Sequence, residues 1–509
     1  MLQRNPIERT KLAVENVGTM RRPRICAARE KTGAPSGPRF IGSLHDGTDA
    51  PVHERVYQRI RHLILSGFFS NGSRIAASRA LAASLGISRN SVLTAIERLI
   101  ADGLVESRRG SGTYVVYSGP RVAAPFLPAP LLEEGGCVPF QLGWAFDIFP
   151  TRIWKRLQLR RWRQPSDGGF LQLGRATGWP QLREAIAAHV AMSRGIECSP
   201  DQVIVTTCGP SAANLVVRAL GLSGSESWVE DPACQSLIGA LQSSGVHVVP
   251  VPVDEEGIQV EAGKRLSPHA RLALVTPSCQ APTGVKLGEG RRRSLVRWAH
   301  DNNAWVFEDD FNYSTDQKGR LVLPLATLDQ TRTFYFNSFN HTLFPGLRIA
   351  YFITPPALVD RFAAVQGKEG DVNVPNQMIL ADFIEGGYLD DHLRRLQAHC
   401  SERRAILNAA VEEKLFQFLT PHESTSSNYF VCTLNGVAEN ALIESCKEQN
   451  LVIRGMATFC AIRRDIQQIV LGFAPYKPKK LLDSAAGLRS VFEMLHQRDS
   501  RCIRVAASK

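Results

Sequence analysis

Residues 335–352, YFNSFNHTLFPGLRIAYF, decide how the larger part of this chain is read. An aromatic, strand-like start runs into a loop holding Ser338, His341, Pro345, Gly346 and Arg348, and the chain then returns to an apolar strand. Working outward, the same kind of short apolar run recurs upstream as QVIVTTCG (202–209), SWVEDP (227–232), HVVPVPV (247–253), LALVTPS (272–278), AWVFEDD (304–310) and TFYFNSF (333–339). Helical or loop material separates these runs, AANLVVRAL (212–220) being the clearest helix. Strand and helix alternating over such a length predict an α/β fold with an open, mainly parallel sheet. Residues from about 390 to 509 mix the two patterns and predict a smaller α+β lobe.

Nearer the N-terminus the periodicity changes. VHERVYQRIRHLILSG places Val52, Val56, Ile60, Leu63 and Ile64 at helical spacing before Gly67. SRALAASLG is a second, shorter helix ending at Gly86. In SRNSVLTAIERLIADG, Ser88 is placed to cap a third helix whose inner face is expected to carry Val92, Ile96, Leu99 and Ile100. LVESRRGSGTYVVY then reads as strand, turn, strand. Three helices and a β-hairpin make a winged helix-turn-helix over 51–117. Residues 118–139 hold five prolines and are expected to be a locally stiff linker to the α/β body at 140–509. Residues 1–50 lack periodicity and are expected to form a disordered basic extension.

Charge follows this division. Residues 1–50 carry nine Lys/Arg against five Asp/Glu and residues 51–117 nine against four, so nine of the twelve net positive charges lie in the first 117 of 509 residues. A positive end on a nearly balanced body predicts an anionic partner, most simply double-stranded DNA. The third helix would offer Ser88, Arg89, Asn90 and Ser91 to phosphates and base edges, with Arg79 on a phosphate. In the wing, Arg108 and Arg109 precede Gly110 and Gly112, which allow a turn tight enough for close approach to a groove. Eleven cysteines without a C-x-x-C pair or a His/Cys cluster exclude the usual zinc spacings, so no metal is expected. No apolar run reaches membrane-spanning length, no secretory leader is visible, and a cytoplasmic, nucleoid-associated protein is expected.

Residues 65–116, LSGFFSNGSRIAASRALAASLGISRNSVLTAIERLIADGLVESRRGSGTYVV, resemble the GntR-type winged helix across their length, Ala76 standing where that family commonly has proline. From about Phe140 to Leu495 the chain resembles fold type I aminotransferases. FDIFPTRIW, TGWPQLREAIAAHVAMSRGI, VEDP, VPVPVDEEGI, TPSCQAPTG, VFEDDF and LFPGLRIAYF carry that likeness together. The order of winged helix, linker and aminotransferase-like domain is that of the MocR subfamily of GntR regulators.

That resemblance implies a pyridoxal phosphate site, whose positions are carried over one at a time. Asp309 matches the carboxylate that pairs with the pyridine nitrogen. Ser338 and Arg348 match the hydroxyl and guanidinium of the phosphate cup, and Gly209 and Ser211 lie in the CGPSAAN loop that completes it. The family's F-S-K-T-L-F-P, however, stands here as F-N-H-T-L-F-P, with His341 at the Schiff-base lysine. Imidazole has no primary amine, so an internal aldimine is chemically excluded there. Phe311 replaces the tyrosine that bonds the 3′-oxygen, Cys234 the stacking aromatic, and Leu173 the tyrosine that reaches a partner subunit. Val470 falls at the substrate-carboxylate arginine.

The expectation is a DNA-binding transcriptional regulator, a homodimer, whose aminotransferase-like domain is catalytically inactive and answers to a small anionic effector. The alternatives are a pyridoxal phosphate-dependent aminotransferase with a DNA-binding arm, a noncovalent pyridoxal phosphate sensor, and a purely structural dimerisation body.

Overall fold

The computed structural model describes residues 51–65, 69, 72–108, 111–116, 139–163, 170, 174–311, 322–366, 372–422, 424, 426–461 and 466–507. The N-terminal extension, almost all of the linker, Leu173, Arg109 and Gly110 lie outside them. The chain divides into two compact units, 1–124 and 125–509. Among the described residues no helix is long and apolar enough to cross a membrane, and no group of His, Cys, Asp and Glu could hold a metal ion.

The first unit runs α1 (Val52–Leu65), β1 (Arg74–Ile75), α2 (Ser78–Leu85), α3 (Arg89–Ala101), β2 (Val105–Arg108) and β3 (Gly112–Val115). Apolar residues on successive helical turns make its core: Val56, Tyr57, Ile60 and Ile64 of α1 meet Val92, Ala95, Ile96 and Leu99 of α3, closed by Leu81, Ile75, Val105 and Val115. Ile100 is a correction, since it is 39% exposed. One helical step beyond Leu99 turns its side chain about 100° away from the buried stripe, which Ala95 completes instead. The short β1 pairs antiparallel with β3 and adds a third strand to the wing, order β1-β3-β2. Two residues offer too little alternation for such a strand to be read from sequence.

Among the described residues the second unit holds twelve strands: β4 (Val203–Thr206), β5 (Glu226–Asp231), β6 (His247–Asp254), β7 (Gly257–Ile258), β8 (Leu272–Val275), β9 (Trp305–Asp309), β10 (Thr333–Ser338), β11 (Ala350–Ile353), β12 (Leu419–Pro421), β13 (Tyr429–Leu434), β14 (Arg454–Gly455) and β15 (Gln468–Gly472). The helices are α4 (Thr151–Arg163), α5 (Pro180–Arg194), α6 (Gly209–Leu220), α7 (Gln235–Ser243), α8 (Val260–Leu266), α9 (Glu289–Asp301), α10 (Phe339–Thr342), α11 (Val359–Gln366), α12 (Val374–Glu385), α13 (Tyr388–Lys414), α14 (Glu439–Glu448) and α15 (Pro478–Ala507).

Eight strands form one sheet in the order β4-β11-β10-β9-β8-β5-β6-β7. The run β10-β9-β8-β5-β6 is parallel, while β11 and the edge strand β7 are antiparallel to their neighbours. Both faces are covered, so alternate residues of each strand enter different cores. Phe334 and Phe336 of β10 pack under α6 and α7, whereas Tyr335 between them packs with α5 and α12 on the opposite face. The smaller lobe is an antiparallel sheet, β12-β13-β15-β14, covered by α13, α14 and α15.

The first described residues of this unit belong to that lobe. Val452 donates to the carbonyl of Pro139 (2.9 Å) and Gly472 to that of Phe140 (2.8 Å), and Phe140 is buried in the lobe's core. Gly472 is required there, because a Cβ would stand 2.2 Å from the Gln141 carbonyl oxygen.

Candidate DNA interface and candidate coenzyme pocket

In the winged helix, Ser88 caps α3 by accepting from the Ser91 N–H (3.1 Å). A side-chain cap fixes the entry of the helix and leaves the residues after it projecting from its first turn. Arg79, Ser88, Arg89 and Asn90 are exposed and Ser91 half-exposed. Arg89 donates to Ser78 at the start of α2 (3.4 Å), tying the two inner helices together at this surface. The unpaired N–H groups of the first turn add a positive end to the same place. In the wing, Arg108 is exposed, pairs with Glu106 and lies over the Tyr114 ring at 4.8 Å. Gly112 has φ +122°, and a Cβ on it would meet Arg74 Nε at 2.8 Å. Glycine is therefore needed for the backbone conformation and for the packing of Arg74 against the turn.

In the second unit the quoted loop sits at the carboxyl end of the central strands. Asp309 ends β9 and Ser338 ends β10, with Phe336 in register beside Asp309. Ser338 caps the one-turn helix α10 by accepting from the Asn340 N–H (3.3 Å). Asn340 holds the loop from both sides, donating to the Thr207 carbonyl (2.8 Å) and accepting from the Ile349 N–H (2.9 Å). Thr207 in turn donates to Ser211 (3.1 Å) in the first turn of α6, close after Gly209. The loop 335–352 and the CGPSAAN loop are thus fastened together. Asp309 and Ser338 are buried, whereas Arg348 is exposed at a positive φ of 55°. Of the residues expected in the phosphate cup, Arg348 is the one the chain leaves in solvent.

The two adjacent aspartates have different surroundings, because successive strand residues face opposite sides. Asp310 accepts from Tyr335 Oη (2.8 Å) and forms a fully buried ion pair with Arg194 (2.5 Å). Asp309 has one carboxylate oxygen, Oδ1, closed off from solvent with no hydrogen-bond partner. Burial, then the nearby Asp310, Glu230 and Glu308, push its pKa up to about 8. Glu230 accepts from the Thr276 backbone and hydroxyl and from Gln280, and Glu308 from the Leu325 and Ala326 N–H groups. Burial raises both to about 7.

His341 lies half-buried in α10. Trp144 stacks on its ring, with centroids 4.5 Å apart and planes 12° from parallel. Phe311 meets the same ring edge-on at 6.2 Å. Nδ1 is sealed off without a hydrogen-bond partner, and burial lowers the pKa of the imidazole to about 4. It is therefore neutral at pH 7 and packs as an aromatic ring. Cys234 is exposed at the N-cap of α7, its Sγ 3.2 Å from Ser236 Oγ. Val470 is fully buried in β15, with Val431 and Arg454 as its cross-strand partners.

Some of these residues suit pyridoxal phosphate and others do not. The orphaned Asp309 oxygen suits a ring N–H, and Ser338 and the α6 turn suit a phosphate. His341, which the resemblance sets at the lysine position, has no amine and its ring face is covered by Trp144, while Phe311 has no hydroxyl and Cys234 no aromatic ring. An imidazole at 341 cannot hold the coenzyme covalently.

Sequence reasoning missed Trp144, which lies in an irregular segment with no periodicity, and Asn340, which it quoted beside His341 without assigning it a role. The i,i+1 pair of Asn340 and His341 in a loop between two strands was the available signal for Asn340; Trp144 left none.

Residues 52–115 match the family described as bacterial regulatory proteins, gntR family, and residues 148–466 match aminotransferase class I and II. The fold and these matches define a winged-helix regulator with an aminotransferase-like body. The chain is 32% identical over 472 residues to the probable rhizopine catabolism regulatory protein MocR of Rhizobium meliloti, covering 88% of this chain and 95% of that protein. It is 30% identical over 374 residues to the pyridoxine biosynthesis regulator PdxR of Corynebacterium glutamicum, covering 71% and 79%. This chain belongs to the MocR group of GntR-type, helix-turn-helix transcriptional regulators. Among solved structures, an archaeal alanine:glyoxylate aminotransferase superposes with a TM-score of 0.63 at 18% identity, covering 71% of this chain and 92% of that one. The Pyrococcus horikoshii kynurenine aminotransferase gives 0.61 at 23%, covering 70% and 90%; both establish the fold alone.

Proposed function

We propose that this chain is a cytoplasmic, sequence-specific DNA-binding regulator that works as a homodimer and whose aminotransferase-like unit does no transamination. The observation that carries the reading is the capped third helix, whose first turn exposes Arg89 and Asn90 beside Arg79, with Arg108 on the wing. Arg and Asn are the residues best suited to bidentate contacts with guanine and adenine edges in a major groove. Pairing through the second unit would place two such helices on paired half-sites. α4 favours that pairing, because Leu159 and Trp162 stand 47% and 53% exposed on it, two apolar side chains among basic ones that a second copy would cover.

His341 supports the loss of catalysis, since without an amine at that position the bond that defines aminotransferase chemistry has no place to form. Ser338 and the first turn of α6 keep a polar frame at which a small anionic effector would be held. Footprinting of the full-length protein on the duplex upstream of its own gene tests the reading. Protection of one or two short sites, lost with Arg89→Ala, is expected. Absence of protection sinks it.

The competing reading is an aminotransferase with a DNA-binding arm, for which the polar frame speaks. It requires a pyridoxyl-lysine adduct after incubation with pyridoxal phosphate and borohydride reduction, located by peptide mapping in the second unit.

A further inference from the structure

The polar frame around Asp309 raises the question of whether the coenzyme still enters without a covalent bond. Four observations bear on it. Trp144 covers the face of His341 in a nearly parallel stack, and Phe311 closes against the ring from another direction. The two polar atoms that a ligand would meet, Asp309 Oδ1 and His341 Nδ1, are both sealed from solvent with no partner. The segment bearing Trp144 is held in place: Pro139 and Phe140 accept backbone bonds from Val452 and Gly472, and Tyr476 Oη donates to the Gln141 carbonyl (3.0 Å). Gly143 lies so close to Pro475 that a Cβ on it would meet Cγ at 3.2 Å. An indole on a flexible loop would be an incidental contact; one fixed by three backbone anchors is part of the packing.

We infer that Trp144 is an internal plug: its indole ring, seated on His341, fills this pocket from within and excludes the coenzyme even in noncovalent form. The cost of two unpartnered polar atoms is tolerable because neutral imidazole and a protonated Asp309 carboxyl are both uncharged, and the stacked rings offset part of it. Trp144 is thus a specificity-determining residue, and the closed pocket separates this chain from a noncovalent sensor of the same coenzyme.

The inference rests on the reading of His341 as the former lysine position, and its test is separable from that reading. The probe is pyridoxine 5′-phosphate, which has the ring and the phosphate but no aldehyde, so it cannot label surface lysines. Full-length wild type, Trp144→Ala and Trp144→Phe are compared by equilibrium dialysis and by thermal shift. Trp144→Ala should bind at least about tenfold more tightly than wild type and gain melting temperature on adding the probe. Trp144→Phe, which keeps a ring on His341, should behave as wild type. Equal affinity of wild type and Trp144→Ala, including the case in which neither binds, overturns the plug. Should Trp144→Ala fail to fold, His341→Ala opens the same stack from its other side and must show the same gain. A pyridoxyl-lysine adduct would instead overturn the reading of His341, whatever the Trp144 variants do.

Discussion

Asp309 and His341 carry opposite pH signatures, and together they give a test at the scale of single residues. Asp309, Glu230 and Glu308 have pKa values raised to about 8, about 7 and about 7, so the folded chain holds protons that the unfolded chain releases near pH 4. Their contribution to stability is largest at low pH and is lost as pH rises toward those values. His341, lowered to about 4, works the other way, its contribution growing between about pH 4 and 6.5 and constant above. Between about pH 6.5 and 8 the carboxyl groups therefore decide, and the melting temperature of the second unit should fall. Asp309→Asn should flatten that slope; an unchanged slope would mean that Asp309 does not hold its proton. His341→Lys alone should leave transamination undetectable, since Phe311, Cys234 and Trp144 are unaltered. Measurable turnover with an amino acid and a keto acid would refute this. That residue 341 carries no amine was legible from sequence, because it is a matter of residue type alone. The surroundings of the ring were not, because Trp144 reaches it only through tertiary structure.

At the scale of elements, the winged helix is where periodicity served best. The three helices, the Ser88 cap and the hairpin follow from apolar spacing, a hydroxyl before a helix and glycines at turns. Ile100 was misassigned because the buried stripe of α3 runs through Val92, Ala95, Ile96 and Leu99, and one further step of about 100° carries Ile100 past its edge. Ser88→Ala should cost about 1 kcal/mol of stability in the first unit, read from chemical denaturation. Arg89→Ala should weaken DNA binding and relax its sequence preference, whereas Arg79→Ala should weaken binding to all duplexes alike and reduce its salt dependence. If both variants lose affinity equally for specific and random duplexes, α3 is not the reading element. The strands of the large sheet were likewise legible as apolar runs, but not their order. β11 inserts antiparallel between β4 and β10, and no local pattern encodes which strand lies beside which.

At the scale of the whole molecule, the chain joins a basic winged helix to a body with the aminotransferase fold, and the two were separable in the sequence by charge and composition. What the sequence could not show is that Pro139, read as the end of the linker, and Phe140 and Gln141, read as the first residues of the body, are hydrogen-bonded to the small lobe. Cross-lobe attachment of that kind depends on which backbone groups the fold leaves free, and polar backbone carries no sequence signature. The proposed function requires a body that contributes pairing and not catalysis. The full-length chain should then sediment as a dimer, and a charge placed on α4 by Trp162→Glu should shift it toward monomer and weaken DNA binding together.

Sequence-selective DNA binding is what this molecule's build is expected to give. Its most direct test is the affinity of the purified full-length protein for the duplex upstream of its own gene and for a scrambled duplex of equal length, by fluorescence anisotropy over a salt series. A preference of about a hundredfold or more for the upstream duplex is expected, with both affinities falling linearly in log–log form as salt rises. Equal affinity for the two duplexes, or affinity indifferent to salt, would contradict it.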